Sequence, residues 1–366
     1  MTPDLLYQLA LTQVPQIGDV QARLLLQHYG SAEAVFRARP AELEVLDGIG
    51  TVRARSIKRF RDFHLAEAEL RFLQRHGLHA WCVTDAGYPK RLLHCYDPPT
   101  LLFGRGAPDL NAARLVAVVG TRAASDYGRA VTETLVHELA PFRASIVSGL
   151  AFGIDAVAHK AALRAGLPTI GVVGHGLAKV YPYEHTALAK SIVEAGGGLL
   201  SEFFHDVKPD KHNFPLRNRI VAGLCDCTIV IETQVKGGSM ITARLADGYH
   251  RDVFAVPGRL TDRGSAGCLE LLRQHKAQLF TGAAALAEAL GWTDREKPAA
   301  RQQALFIELS AEERQLLQLL EGQSPLHVDE LYLRSGLPNS IAAASLLNLE
   351  LQGVIVGLPG KCYRIA

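Results

Sequence analysis

Four stretches of this 366-residue chain bring glycines, hydroxyls and cations together in the way an anion-binding loop requires. The first is Gly120-Thr121-Arg122-Ala123-Ala124-Ser125-Asp126. A β-branched run precedes it and a helical pattern follows. It therefore opens a helix whose first N–H groups lack partners and carry partial positive charge. Arg122 adds a planar cation that can pair with phosphate or stack on a base. The second is Ser148-Gly149-Leu150-Ala151-Phe152-Gly153-Ile154-Asp155, with His159 one turn on. Its glycines permit close backbone approach to a ligand. His159 reads either as a packed helix residue bonded to a neighbour or as a catalytic group. In the third, Lys208, Lys211, Arg217 and Arg219 surround Phe214, with Asn218 between the arginines. Phe214 precedes Pro215, which places it in extended chain where a helix begins. Cations that follow phosphates beside an aromatic that stacks a base are what single-strand binding needs. The alternative is that Phe214 plugs the core while the arginines pair with Glu202 or Asp226. The fourth, Gly237-Gly238-Ser239-Met240-Ile241-Thr242, is a second phosphate-friendly helix start; Ser239 and Thr242 can cap the helix or donate to a ligand.

The dinucleotide fingerprint G-x-G-x-x-G and the Walker lysine pattern are both missing, so no nucleotide cofactor is expected. Cys225 and Cys227 have no nearby Cys/His pair to complete a four-ligand set, so no metal is expected either. Formal net charge is only +2, so any basic surface is local.

The elements behind these loops change along the chain. Residues 1–80 read as helical. Two similar phrases there, Val14-Pro15-Gln16-Ile17-Gly18 and Leu46-Asp47-Gly48-Ile49-Gly50, resemble helix-hairpin-helix turns, each followed by arginine-bearing helix. Such a turn can hold a phosphate; equally, its glycines end one helix and its charges form a solvated face. Residues 81–290 alternate helical stretches with apolar runs at 115–119, 145–148, 169–173, 228–231 and 253–256. That alternation predicts an α/β fold: a Rossmann-like parallel sheet covered on both faces, with ligands beyond the strands' carboxyl ends. Residues 291–304 read as a linker. Residues 305–366 read as helices followed by a hairpin turning at Pro359-Gly360, a winged-helix-like domain. Its candidate recognition helix, 340–352, is almost free of positive charge, which leaves DNA and protein contacts both open. The N-terminus lacks a basic stretch followed by an apolar one, and no run of 18 apolar residues occurs. A cytoplasmic protein with reduced thiols and no membrane contact is expected.

Taken in order, these phrases resemble the DprA/Smf family of DNA-processing proteins. The resemblance runs from Tyr88-Pro89 to about residue 280. It includes Val118-Val119-Gly120-Thr121-Arg122, Tyr181-Pro182, Ser201-Glu202, Phe214-Pro215 with Arg217-Asn218-Arg219, and Ala255-Val256-Pro257-Gly258. It implies a non-enzymatic protein of natural transformation that binds and protects incoming single-stranded DNA and loads RecA recombinase onto it. It also implies a homodimer formed through the central domain. Carried over by motif, Gly120, Thr121 and Arg122 would contact DNA after the first strand. Lys211 and Phe214 would grip and stack the strand, supported by Arg217, Asn218 and Arg219. Ser148 and the amides at Gly149, Gly153, Gly238 and Ser239 would hold phosphates. Gly237 stands where this family would carry serine, a change that keeps the turn flexible.

Two rival functions fit parts of the same pattern. A nucleoside-monophosphate phosphoribohydrolase on a related fold would need a loop glycine and a glutamate where Met240 and Arg244 stand, and a cation cannot stabilise an oxocarbenium-like state. A nucleotide-sensing scaffold would bind a mononucleotide as well as it binds a long strand.

Overall fold

The computed structural model describes residues 4–292, 309–322, 325–352, 354–358 and 361–365. The N-terminal helices are α1 (Leu5–Leu11), α2 (Asp19–Tyr29), α3 (Ala32–Arg37), α4 (Pro40–Glu44), α5 (Gly50–Arg59) and α6 (His64–His76). Both hairpin phrases form turns that start a helix. Gly48 and Gly50 have φ of 82° and 61°, a conformation that favours glycine. Arg53, just inside α5, bonds the carbonyls of Gln16 at 3.1 Å and Gly48 at 2.9 Å. It thereby ties the two turns together, while Lys58 donates to the Phe36 carbonyl. Much of the basic stretch after the second turn is thus used inside the helical region.

The central region contains β1 (His79–Cys82), α7 (Lys90–Leu93), β2 (Leu101–Gly106), β3 (Leu115–Val119), α8 (Asp126–Glu138), β4 (Ser145–Ser148), α9 (Ile154–Arg164) and β5 (Thr169–Val172). It continues with α10 (Thr186–Glu194), β6 (Gly198–Ser201), α11 (Asn213–Leu224), β7 (Cys227–Val230), α12 (Gly238–Gly248), β8 (Asp252–Ala255), α13 (Ala266–Arg273), β9 (Gln278–Leu279) and α14 (Ala283–Ala289). Among the described residues these strands form one sheet, ordered β1-β2-β6-β5-β4-β3-β7-β8-β9. From β6 through β9 every pair is parallel. β1 and β2 add an antiparallel edge.

Strand β3 shows why its sequence is apolar throughout. Leu115, Ala117 and Val119 face a core shared with α11 and α12, whereas Val116 and Val118 face one shared with α8, α9 and α14. A strand covered on both faces has no polar alternation to display. The first of these cores also takes in Leu9, Leu25, Leu26, Leu43 and Leu73 of the N-terminal helices. The helices expected as a separate domain, 1–80, therefore share one compact unit with the sheet, up to Thr293.

The second unit has its own core around Leu316, Leu331, Leu346 and Ile355. It comprises α15 (Ala311–Gly322), β10 (Leu326–His327), α16 (Val328–Ser335), α17 (Asn339–Leu351), β11 (Ile355–Leu358) and β12 (Cys362–Ile365). Its strands pair antiparallel in the order β10-β12-β11. The expected linker lies, from residue 293 on, outside the described residues, as does the Pro359-Gly360 turn.

Candidate nucleic-acid interface

The sheet order decides where a ligand fits. Strands β4, β5 and β6 succeed β3 on one side, and β7, β8 and β9 lie on the other. The loops leaving β3 and β7 diverge, and such a switch point opens a crevice beyond the strand ends. A cleft of about 520 Å³ lies there. It gathers Gly120, Thr121 and Arg122 from the loop after β3 and Gly149 from the loop after β4. Lys211, just before α11, and Phe214, Arg217 and Asn218 within it join them, as do Gly238 and Ser239 from the start of α12. Ser148, Gly153 and Arg219 are not part of its lining.

Four helices begin around this cleft, and their free N–H groups differ in fate. At α11, Asp210 accepts from His212 N–H at 2.8 Å through its carboxylate and from Asn213 N–H at 3.1 Å through its carbonyl, and Pro215 has no N–H to offer. At α8, the Ser125 hydroxyl accepts from Gly128 N–H at 3.1 Å. The Glu232 carboxylate accepts from Ser125 N–H at 3.0 Å, and Thr121 N–H goes to the Glu232 carbonyl at 2.7 Å. The nest expected after the first strand thus already holds a carboxylate. At α9, Asp155 accepts from Gly149 N–H at 3.0 Å and Ala151 N–H at 3.3 Å. The Gly149 amide is therefore not available to a phosphate. The start of α12 is different: no side chain caps it, and its first turn holds no acidic residue. Gly238 faces open space, so of the four this helix start is the most open to an anion.

Phe214 lies in the first turn of α11, not in the extended chain expected before it. Pro215 is the third helical residue, a position whose N–H has no intrahelical acceptor to lose. The Phe214 ring packs beside Gly174, where any Cβ would stand 3.1 Å from it. The Arg122 guanidinium lies over one side, 5.5 Å from the ring centroid. Tyr181 stacks on Phe214 at 6.0 Å with the planes 29° apart, and is 47% exposed. Tyr181 belonged to a family phrase but was not expected in the site. The chemical signal for it was an aromatic next to proline in a strand-end loop. His175 fixes that loop: its Nδ1 donates to the Gly176 carbonyl and its Nε2 accepts from Tyr181 N–H at 3.2 Å. Burial lowers the His175 pKa, which keeps this neutral arrangement.

The two arginines after Phe214 have separate roles, both largely internal. Arg217 is buried and donates to the carbonyls of Gly149 and Val172. Burial lowers its pKa to about 10, partly offset by the Asp155 carboxylate, so it remains charged at the back of the cleft. Arg219 points away from the cleft. It pairs with Glu202, with Asp19 at 2.9 Å, and with the Asp97 carbonyl. Burial works against its charge, and the carboxylates of Glu202 and Asp19 outweigh it, so the guanidinium holds its proton more tightly than in water. Pairing with Glu202 was the alternative reading of this residue, and a DNA contact for Arg219 is corrected to a structural one. Ser148 is also internal, donating to the Val118 carbonyl at 2.7 Å. Gly153 serves close packing: a Cβ there would meet the Thr121 carbonyl at 2.2 Å. His159 is fully buried against Thr169, at 2.7 Å, and has no access to the cleft.

The family described as DNA recombination-mediator protein A matches residues 79–291, more than half of the chain. The chain belongs to that family. Within the DNA recombination-mediator protein A family, it is similar to Protein Smf of Escherichia coli strain K12. The two are 37% identical over 317 residues, covering 85% of this chain and 84% of that protein. DNA processing protein DprA of Streptococcus pneumoniae is 42% identical over 209 residues, 57% of this chain and 73% of that protein. The X-ray structure of DprA from Streptococcus pneumoniae superposes with a TM-score of 0.66 and 34% identity, covering 79% of this chain and 98% of that one. DNA processing protein A from Helicobacter pylori, whose structure was solved for its single-stranded DNA binding mode, gives a TM-score of 0.51 and 35% identity. That match covers 58% of this chain and 95% of the other. A helix-hairpin-helix motif matches residues 5–67, and the DprA winged helix domain matches 296–361. This member of the family thus joins a helix-hairpin-helix region and a winged helix to its α/β core. Among the described residues no helix is long and apolar enough to cross a membrane.

Proposed function

We propose that this chain binds single-stranded DNA in the switch-point cleft and protects it during natural transformation. It helps load RecA recombinase onto the strand, acts as a homodimer through the sheet domain in the cytoplasm, and catalyses no reaction. The observation that supports strand binding most is the arrangement around Phe214. An exposed guanidinium and an exposed tyrosine flank its ring, beside Lys211 and an uncapped helix start. Those groups offer base stacking and phosphate contact without a duplex-sized groove. The family membership supports the RecA and dimer parts of the reading.

The test is fluorescence anisotropy with labelled strands of about 20–40 bases against duplex and against a mononucleotide. Single strands bind tightest, and affinity falls steeply with salt. Arg122→Ala and Lys211→Ala each weaken binding and reduce the salt slope by about one. Equal affinity for mononucleotide and long strand would favour a nucleotide sensor. Unchanged binding in both variants would remove the cleft from the reading.

A further inference from the structure

We infer that a bound strand leaves the cleft along residues 205–211 and continues onto helix α6, where a second, separate site takes its phosphates and bases. This rests on the reading of the cleft as a single-strand site. A cavity of about 650 Å³ opens along α6, in a different part of the unit from the switch-point cleft. Arg71 and Arg75 line it, one helical turn apart and exposed; Arg71 makes only a loose, solvent-screened pair with Glu67 at 3.7 Å, so both can turn to an anion on the same side. Between them Phe72 stacks on His205 with ring centroids 4.1 Å apart and planes 14° from parallel. His76 packs on the Phe72 ring at 4.3 Å. Cations beside partly exposed rings are the two components of single-strand recognition, and here they recur without any of the cleft's residues.

Two features make this an extension of the strand path. First, the ring at the cavity's edge is held in place from beneath. Glu69 is 1% exposed, and its carboxylate accepts from both the backbone N–H of His205 at 2.8 Å and the His205 ring at 2.6 Å. A buried carboxylate used to orient a surface ring is a cost that packing alone does not require. Secondly, His205 is the start of the segment that ends at Lys211 in the cleft, with Lys208 exposed between them. The segment is bonded along the loop that carries Tyr181: Gly176 N–H donates to the Val207 carbonyl and Ala178 N–H to the His205 carbonyl. Six residue steps span at most about 20 Å, a gap that a few nucleotides of extended strand bridge. Lys208 lies on that route.

The experiment compares the full chain with the R71Q/R75Q double variant on labelled oligothymidylates of about 6 and about 25 bases, by anisotropy over a salt series. The short strand fills only the cleft, and its affinity changes less than about twofold, which also reports that the variant is folded. The long strand loses about tenfold or more in affinity, and its salt slope falls by about two. R71K/R75K restores most of the slope, because charge rather than shape is what phosphates read here. Equal loss on both strands, or no loss on either, overturns the extended path and leaves the cleft standing. Failure of the unmodified chain to bind either strand overturns both.

Discussion

Arg122, Phe214 and Arg217 sit within one cleft and yet answer to different forces. Phe214 belongs to neither apolar core; its ring is held between Arg122 and Tyr181. Phe214→Ala should therefore cost about 1–3 kcal/mol of strand affinity through lost stacking, with little change in melting temperature. Titration and thermal melting of the same preparation check both halves. A strong drop in melting temperature would make Phe214 a core plug. Arg217 should behave in the opposite way. Its removal leaves the carbonyls of Gly149 and Val172 without their donor and buried Asp155 without its cation. Breaking such a buried arrangement costs about 3–5 kcal/mol. Arg217→Ala should thus lower denaturant stability by that order, whereas Arg122→Ala, on an exposed side chain, should leave stability within about 0.5 kcal/mol. Comparable stability losses in the two variants would refute this division.

Helix α9 carries the sharpest pH dependence. Thr169 gives its hydroxyl proton to the Ile146 carbonyl at 2.9 Å, so it accepts from His159 Nδ1. That leaves Nε2 buried and unpartnered, and a proton there would be a charge with no acceptor. Burial accordingly pushes the His159 pKa down to about 3, with His185 and Arg217 adding to the effect. In the unfolded chain the ring titrates near 6.5. Between these values the unfolded state binds the extra proton, so stability falls as pH drops from about 6.5 toward 3. Unfolding free energies of His159→Leu across that window should decline less steeply than those of the natural chain; parallel curves would rule the histidine out. The loop-opening strands were legible because β3, β4, β5, β7 and β8 are β-branched or apolar runs that stop at a strand-end turn. Strand β6 was missed because it opens on the last of three consecutive glycines, and the short β9 because Gln278 and Leu279 are both exposed. The same limit hid which helix start is open. Glu232 reaches Ser125 across 107 positions, and no local spacing encodes that contact. Of the site, Arg122, Lys211 and Phe214 were readable from residue type, since each is exposed or half-exposed at a loop or helix start. Arg217 and Arg219 were not separable from them, because adjacent turns of one helix give no sign of which neighbour is a carboxylate from another segment.

At the scale of the whole first unit, Asp19 is one of the polar links between the helical region and the sheet, alongside Glu69 with His205. Asp19, at the start of α2, accepts from the N–H and hydroxyl of Thr100 at 2.7 Å each, and pairs with Arg219 of α11. Its loss leaves two donors at Thr100 unsatisfied and Arg219 with one carboxylate fewer, a penalty of about 2–4 kcal/mol. That penalty could fall on the helices alone or on the unit as a whole, and the packing decides between them. Leu25 and Leu26 on α2 lie in the same buried core as Leu101 and Leu102 of β2, so the two regions remain joined by apolar burial when Asp19 is gone. Elements that share a core open together. Asp19→Ala should therefore reduce hydrogen-exchange protection in α2 and in β2 by the same free energy, in a single shifted transition. Faster exchange confined to α2, with β2 unchanged, would show that the helical region unfolds on its own and that Asp19, not the common core, couples it to the strand-binding sheet.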